Sequence, residues 1–408
     1  MSNLETQYGL PQEVIFCKKC VYSNQRPNST VEFKHTKQEK KETLILGEDG
    51  ICDACRYAEY KETRIDWKER ERELMVLCDK YRSKTGFYDC VVPGSGGKDS
   101  SFAAHTLKYK FGMNPLTVTW APHLYTDIGW KNFTNWSHVG GFDNILFTPN
   151  GKSHRLLTKL AFINLLHPFQ PFIIGQKFIG PRMALLHKIP LIFYGENQAE
   201  YGNKIEDNDH PTMQERFFTS GTSLDNIFLG GVSAAELIKK HDVSINDLNP
   251  YLPISLEQIK QNNIQQHYLG YYVKWDPEEC YYYAVKHTGF QPSPERTEGS
   301  YSNYSSIDDK IDAFHHYTSL VKFGMGRATF DVAQGIRNRK ITREEGVALV
   351  NRFDSEFPNK YFKDFLEYID IAEEEFWKLV NAARSPHLWH KVDGEWKLRH
   401  VVKNLIND

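Results

Sequence analysis

The chain predicts an α/β fold built on a parallel sheet, with a small four-cysteine module ahead of it and a mainly helical part behind. Three observations predict this. Between residues 85 and 290 short apolar runs alternate with helical stretches, the pattern of strands joined by crossover helices. Two Cys-x-x-Cys pairs precede that region. After a Pro-, Ser- and Gly-rich stretch from Gly289 to Asn303 the periodicity turns helical. The expected divisions are 1–60 for the cysteine module, 61–84 for a connecting helix, 85–290 for the α/β domain and 291–408 for the helical region.

Cys17-Lys18-Lys19-Cys20 and Cys52-Asp53-Ala54-Cys55 each let two thiolates reach one ion from a tight turn. Together they complete a tetrahedral S₄ site. Zn²⁺ is the default metal and an iron–sulfur cluster the alternative. A closed S₄ site has no open position, so its role is structural. Between the pairs, Thr30–Phe33 and Thr43–Leu46 are predicted as hairpin strands, with the charged piece from Lys34 to Glu42 as their solvated connection. Cys78, Cys90 and Cys280 are isolated and read as small core residues. From Tyr57 to Tyr81 the chain is charged and helix-prone, with Trp67, Leu74, Leu77 and Tyr81 on one apolar face.

The next stretch carries the chemistry. An apolar run at Cys90-Val91-Val92 predicts a buried strand that Pro93 ends. Gly94-Ser95-Gly96-Gly97-Lys98-Asp99-Ser100-Ser101 follows, and Phe102–Leu107 has helical spacing. Strand, glycine turn and helix in that order present backbone N–H groups and a helix N-terminus to an anion. The loop is not a Walker A loop, since Lys98 is followed by Asp99 rather than Ser or Thr. It lacks the third glycine of a dinucleotide fingerprint. It resembles the SGGxDS signature of the PP-loop ATP pyrophosphatases, the adenine nucleotide alpha hydrolase-like enzymes that cleave ATP between its α- and β-phosphates.

Further strands are predicted at Pro115–Trp120, Asp143–Phe147, Pro171–Ile174 and Pro190–Gly195, with helices at Trp130–Val139, Ser153–Leu166 (Ser153 as its N-cap) and Arg182–His187. Ligands of such sheets bind beyond the carboxyl ends of the strands. That joins the glycine loop to the segments after Trp120 and Tyr194. Gly195-Glu196-Asn197-Gln198-Ala199-Glu200 places acids at such an end, and hard carboxylate oxygens suit Mg²⁺ on a polyphosphate. Lys98 has two readings, a phosphate contact or a place on the outer face of its helix, and the second is preferred. Gly202–Gly221, with Asn203, Asp207, Asn208 and Asp209, reads as a loop over the site, and Tyr268–Trp275 as a strand-like run. Asp276 caps a helix that opens on Pro277.

In the C-terminal part helices are predicted at Ile307–Phe323, Thr342–Phe353 with a capping box, Asn359–Ile369 and Ala372–Ala383, and a hairpin turns at Val392–Glu395. Two clusters, Lys322–Arg327 and Gly335–Lys340, combine cations with glycines, and Arg327 is the best single candidate for an anionic ligand.

Composition narrows the function. A formal net charge of −2 argues against a general nucleic-acid binder. Aromatics reach 13% and suit bases and sugars as well as cores. The best apolar stretch, Leu160–Gly175, is interrupted by Asn164, His167, Pro168, Gln170 and Pro171, too broken to span a bilayer. With no secretory signal visible and cysteines paired at metal spacing, a cytoplasmic location is expected.

As a whole the chain resembles the N-acetyl sugar amidotransferases, the family that includes the WbpG and PseA proteins of bacterial surface-polysaccharide and flagellar-sugar pathways. The matching features are Cys17-Lys18-Lys19-Cys20, Cys52 and Cys55, Ser95-Gly96-Gly97-Lys98-Asp99-Ser100, Tyr194-Gly195-Glu196-Asn197 and Ile341-Thr342-Arg343-Glu344-Glu345-Gly346. Met213–Asn263 matches less distinctly. The resemblance implies conversion of a sugar acetamido group to an acetamidino group through an O-adenylyl imidate, with ATP and Mg²⁺. ATP would be held by Gly94, Ser95, Gly96, Gly97, Asp99, Ser100, Ser101, Trp120 and Gly195. Asp99, Glu196 and Glu200 would hold Mg²⁺, with Asp99, Lys98 and Arg327 as catalytic groups. The substrate would be a nucleotide-activated sugar. A built-in glutaminase needs an activated cysteine or N-terminal nucleophile. Ser2 follows the first residue, and no cysteine is flanked as in a nucleophile elbow. A separate glutaminase subunit is therefore expected to supply ammonia. The rival reading is a tRNA-thiolating or other RNA-modifying PP-loop enzyme, which needs a persulfide-bearing cysteine or a cluster.

Overall fold

The computed structural model describes residues 4–203 and 210–405. Its centre is a five-stranded parallel sheet of β1 (Cys90–Pro93), β2 (Pro115–Trp120), β3 (Asp143–Phe147), β4 (Leu191–Tyr194) and, after the short antiparallel pair β5 (Phe228–Leu229) and β6 (Val232–Ser233), β7 (Gln265–Tyr268). The spatial order is β3-β2-β1-β4-β7. Successive strands step outward from β1 to β3, and the chain then returns to add β4 on β1's other side. The direction of winding therefore reverses between β1 and β4, and a crevice opens beyond their carboxyl ends.

Both faces of the sheet are covered, so β1 and β2 are buried throughout. Alternation sorts their side chains. Cys90, Val92, Leu191 and Phe193 pack with α2 (Trp67–Tyr81), α3 (Lys98–His105) and α4 (Asp127–His138) through Leu74, Ala103, Ala104 and Trp136. Val91, Leu116, Val118 and Ile192 face α5 (Gly151–Leu165) and α6 (Gln170–His187). The C-terminal helices join that second core, with Phe314 and Phe365 stacked at 4.4 Å. The four cysteines share another core with Val332, Ala333 and Val347 of the helices Arg327–Arg337 and Arg343–Phe353. Among the described residues no helix is long and apolar enough to cross a membrane.

Several local expectations are corrected. Glu32–Lys34 is a 3₁₀ turn that buries Phe33, not a strand, and Thr43 and Leu46 make only isolated bridges to Pro27 and Cys52. The connecting helix is two helices, α1 (Asp53–Thr63) and α2, because Asp66 caps the second with bonds from the N–H groups of Lys68 and Glu69. α5 is capped by Asn150 rather than Ser153. The strand expected at Pro171–Ile174 is the first turn of α6. A four-residue apolar run does not distinguish strand from buried helix. Gly175 and Gly180 let this helix lie close against the sheet, since a Cβ on either would run into Trp120 or Pro93. The run from Tyr268 to Trp275 breaks after Tyr268 into a short helix, Leu269–Tyr272. The helix expected from Ile307 begins at Asp312. β2, β3, the Thr342 capping box and the terminal hairpin β8 (Trp389–Val392) and β9 (Glu395–Leu398) match their predictions.

Candidate functional site

The glycine loop leaves β1 at the crevice and is shaped from within. Gly96 has φ +81°, and a Cβ there would stand 2.8 Å from the Asn132 carbonyl oxygen. Only glycine fits that place. Ser100 and Ser101 donate their hydroxyls to the Gly97 and Gly96 carbonyls at 3.1 and 3.3 Å. Gly97 then serves as N-cap of α3. Its added Cβ would meet nothing of the protein closer than Ser95 Oγ at 3.6 Å. This glycine is not required by packing, so its bareness leaves room for a ligand against the loop N–H groups. Gly97→Ala should accordingly leave the melting temperature nearly unchanged while weakening nucleotide binding by at least tenfold in titration calorimetry. Unchanged affinity would remove the loop from the binding site.

Two cavities flank this loop. The first, of about 410 Å³, is lined by Gly94, Ser95, Gly97, Asp99, Ser100, Trp120, Tyr194, Gly195 and Glu196. The second, of about 340 Å³, is lined by Lys98, Asp99, Tyr201, Trp275, Tyr304 and Arg327, again with Ser95 and Gly97. Both fall in the size range of small-molecule sites. Ser95, Gly97, Asp99 and Tyr201 line both.

Asp99 stands at the junction. Its Oδ1 accepts the Trp275 indole N–H at 3.0 Å, and its Oδ2 lies 2.6 Å from Lys98 Nζ. Lys98 therefore points into the second cavity and not to the outer face of the helix. Gly195 lets the β4 loop press on Asp99, since a Cβ would stand 2.8 Å from the Asp99 carbonyl oxygen. That contact brings Glu196 beside it. Burial and the Asp99 charge push the Glu196 carboxyl up to about 7, against the pull of Lys98. Two carboxylates facing one cavity suit a hard divalent cation.

The shift has a measurable consequence. Folding raises this group from an ordinary 4.5 to about 7, so between those values the folded chain holds more of the proton than the unfolded one. Stability from this group therefore falls as pH rises through that window. Ligand-free Glu196→Gln should be the more stable protein at pH 8, with the difference closing toward pH 4.5 in paired thermal melts. A constant difference would contradict the shift.

Glu200 is placed elsewhere. Its carboxylate accepts from Lys61 Nζ at 2.8 Å, both side chains are only 1–3% exposed, and Arg337 donates to its backbone carbonyl at 2.9 Å. It lines neither cavity and braces the turn Gln198–Tyr201. Ser101 is buried under the loop, and Gly96 shapes the loop without lining a cavity. Of the segment after Trp120 only Trp120 itself reaches the site. His123 turns away to Asp309, with Nδ1 and Oδ2 at 2.8 Å. Arg327 lies along the second cavity, paired with both Asp331 oxygens at 3.1 and 3.2 Å. It also donates to His316 Nε2 at 2.9 Å. Burial and that guanidinium hold His316 well below its ordinary range, so it accepts as a neutral ring. Of the loop expected over the site, Met213 lines the first cavity, while Asp207, Asn208 and Asp209 lie outside the described residues.

The sequence pattern missed several cavity groups, Tyr201, Tyr304, Gln176 and Lys177 among them. Lys177 and Gln176 line the first cavity from α6, where a strand was expected just before them. Reading helix continuously from Gln170 would have placed them. Burial lowers the Lys177 pKa, and an anion in the cavity would offset that. The Trp120 indole N–H is buried and has no partner, leaving one donor for a ligand.

The cysteine module supports this site. Cys17 and Cys55 sulfurs are 3.9 Å apart and Cys20 and Cys52 sulfurs 3.7 Å. A tetrahedral ion with bonds of about 2.3 Å sets its sulfurs about 3.8 Å apart. Backbone N–H groups of Lys19, Tyr22 and Cys52 point at the sulfurs at 3.4–3.5 Å. The four buried thiols fit a tetrahedral metal site. Cys52 is the N-cap of α1, which carries Tyr57, accepting from Asn197 at 3.2 Å, and Lys61. The metal end of α1 is thereby tied to the Asn197–Tyr201 wall of the cavity.

The parallel sheet with a glycine loop at its switch point, the four-cysteine module and the helical C-terminal region define an α/β protein of PP-loop type. Within that class, residues 298–403 match the family of the LPS biosynthesis protein WbpG-like C-terminal domain. No curated protein matches the chain. Among solved structures, NMN synthetase from Francisella tularensis is 13% identical with a TM-score of 0.29, covering 68% of this chain and 94% of its own. The U34-tRNA thiolase NcsA from Methanococcus maripaludis with its [4Fe-4S] cluster is 13% identical with a TM-score of 0.28, covering 83% and 89%. A predicted subunit of tRNA methyltransferase from Methanocaldococcus jannaschii is 16% identical with a TM-score of 0.26, covering 48% and 73%. These superpositions are loose, and the strand order and loop carry the fold assignment.

Proposed function

We propose that the protein is an ATP-dependent N-acetyl sugar amidotransferase that turns the acetamido group of a nucleotide-activated sugar into an acetamidino group, in the making of a bacterial surface or flagellin glycan. The observation that carries this reading is the glycine loop standing between two cavities, with Ser95, Gly97 and Asp99 lining both. ATP lying along the first cavity would present its phosphates at the loop to an acceptor held in the second. The WbpG-like match supports the sugar assignment.

An amide oxygen is a weak nucleophile and a poor leaving group, and adenylation mends the second fault. The oxygen attacks the α-phosphorus, the bond to the α–β bridging oxygen breaks, pyrophosphate departs and the amide nitrogen loses its proton. An O-adenylyl imidate results. Ammonia adds to its carbon, the bond to the AMP oxygen breaks, and the acetamidino group remains. The chain's own part is to position and to stabilise charge. Loop N–H groups, Ser95 and Lys177 face the polyphosphate, while Lys98 and Arg327 face the junction from the acceptor side. Asp99 and Glu196 would hold Mg²⁺, which supplies countercharge for departing pyrophosphate. The four cysteines would hold Zn²⁺ as a structural ion. Ammonia is proposed to come from a separate glutaminase subunit.

The RNA-thiolating alternative needs a persulfide-bearing cysteine or an iron–sulfur cluster, and a cluster in place of zinc at the four cysteines would favour it. Cys78, Cys90 and Cys280 are buried with their thiols pushed up by burial, and none lines either cavity. Mass spectrometry of N-acetylated nucleotide sugars incubated with protein, ATP, Mg²⁺ and ammonium tests the proposal. A loss of about one mass unit, O replaced by NH, with equimolar AMP is the expected result. AMP release without a modified sugar, or with a thiolated RNA, would overturn it.

A further inference from the structure

A second cluster of metal-ligand side chains lies away from the cysteines. Glu32, His35 and His167 come together where the 3₁₀ turn Glu32–Lys34 meets the segment after α5, and one ligand atom from each falls within 4.8 Å of the others. His167 Nε2 is 3.3 Å and His35 Nδ1 is 3.8 Å from the same oxygen, Glu32 Oε2. The three side chains are only 8–12% exposed. Glu32 Oε2 and His35 Nδ1 have no hydrogen-bond partner, although unpaired buried polar atoms are costly. Two imidazole nitrogens and one carboxylate oxygen at this spacing are a common donor set for zinc.

The surroundings fit as well. The far nitrogen of His35, Nε2, lies 3.4 Å from Glu39 Oε2. A carboxylate behind a histidine is the arrangement that orients ligating imidazoles. Glu39 is itself held by Lys41 at 2.8 Å. The cluster opens on a cavity of about 200 Å³ that Lys41, His315 and Lys322 also line. Three protein ligands thus leave a fourth position toward a space edged by Lys41 and Lys322, which suits a water ionised to hydroxide or a small anion.

We propose that Glu32, His35 and His167 bind a second divalent transition-metal ion of the zinc class, with an open fourth position. It joins the segment after Pro27 to the end of α5. Ser29 and Ile173 line both its cavity and the first cavity of the glycine loop, so the ion would brace the nucleotide site from behind. This site is independent of the reaction proposed above.

The test counts metal. Full-length protein is loaded with zinc, freed of excess by gel filtration and assayed by plasma emission. Two ions per chain are expected in the wild type and one in His35→Gln and His167→Gln, whose four thiols stay protected from thiol reagents. A wild type holding one ion, or variants still holding two, would overturn the proposal. Cobalt loading of the wild type alone gives a second answer if the variants fail to fold. A first equivalent with thiolate charge-transfer absorption and a second without it is expected; a second equivalent that never binds refutes the site.

Discussion

Asp99→Asn should lower AMP and pyrophosphate formation by about a hundredfold or more while leaving the protein folded. The magnitude is that of removing one electrostatic contact made as charge develops. Asp99 lines both cavities and stands beside Glu196, so it faces the groups that exchange whichever way the phosphates lie. Asparagine keeps a carbonyl oxygen for the Trp275 indole and loses the charge that holds Lys98. Asp99→Ala should be equally inactive but less stable, because the Trp275 indole N–H and the Lys98 ammonium then lose their oxygen partner as well as the charge. Single-turnover assays with ATP and acceptor separate the two effects when set beside thermal melts. Turnover within threefold of the wild type in the asparagine variant would sink the mechanism.

Lys61→Ala should destabilise the protein by about 3–5 kcal/mol, the cost of stranding one partner of a buried ion pair. Lys61 and Glu200 are 1% and 3% exposed at 2.8 Å, and Lys61 also donates to the Trp275 carbonyl at 3.1 Å. Without Lys61 the Glu200 carboxylate has no countercharge inside the wall formed by Gln198–Tyr201, and nucleotide binding should weaken with stability. Lys61→Met combined with Glu200→Leu should recover most of the loss, since an apolar pair of similar volume is often neutral in such a place. Denaturant titration measures both. A cost below 1 kcal/mol for the single variant would show that the pair does not brace the wall.

Legibility followed the length and chemistry of each signal. β2 and β3 were readable because the apolar runs Pro115–Trp120 and Asp143–Phe147 have strand length and alternate with helical stretches. The glycine loop was readable because glycine, serine and aspartate in that order have few other uses. α6 was not, because its opening Pro171–Ile174 is apolar on all sides and lies under the sheet, where periodicity vanishes. Misreading that element hid Gln176 and Lys177. Glu200 and Glu196 are four residues apart and chemically alike, and only the position of Lys61, far earlier in the chain, sends one to a structural pair and leaves the other in the cavity.

The sequence by itself determined the parallel α/β plan, the loop beyond β1 and the two cysteine pairs whose spacing fits a metal, because each signal rests on neighbours within a few residues. The folded chain decided which acids line the cavity, where Lys98 points, and that Glu32, His35 and His167 meet. Those outcomes depend on side chains brought together from distant segments, and no local spacing encodes them.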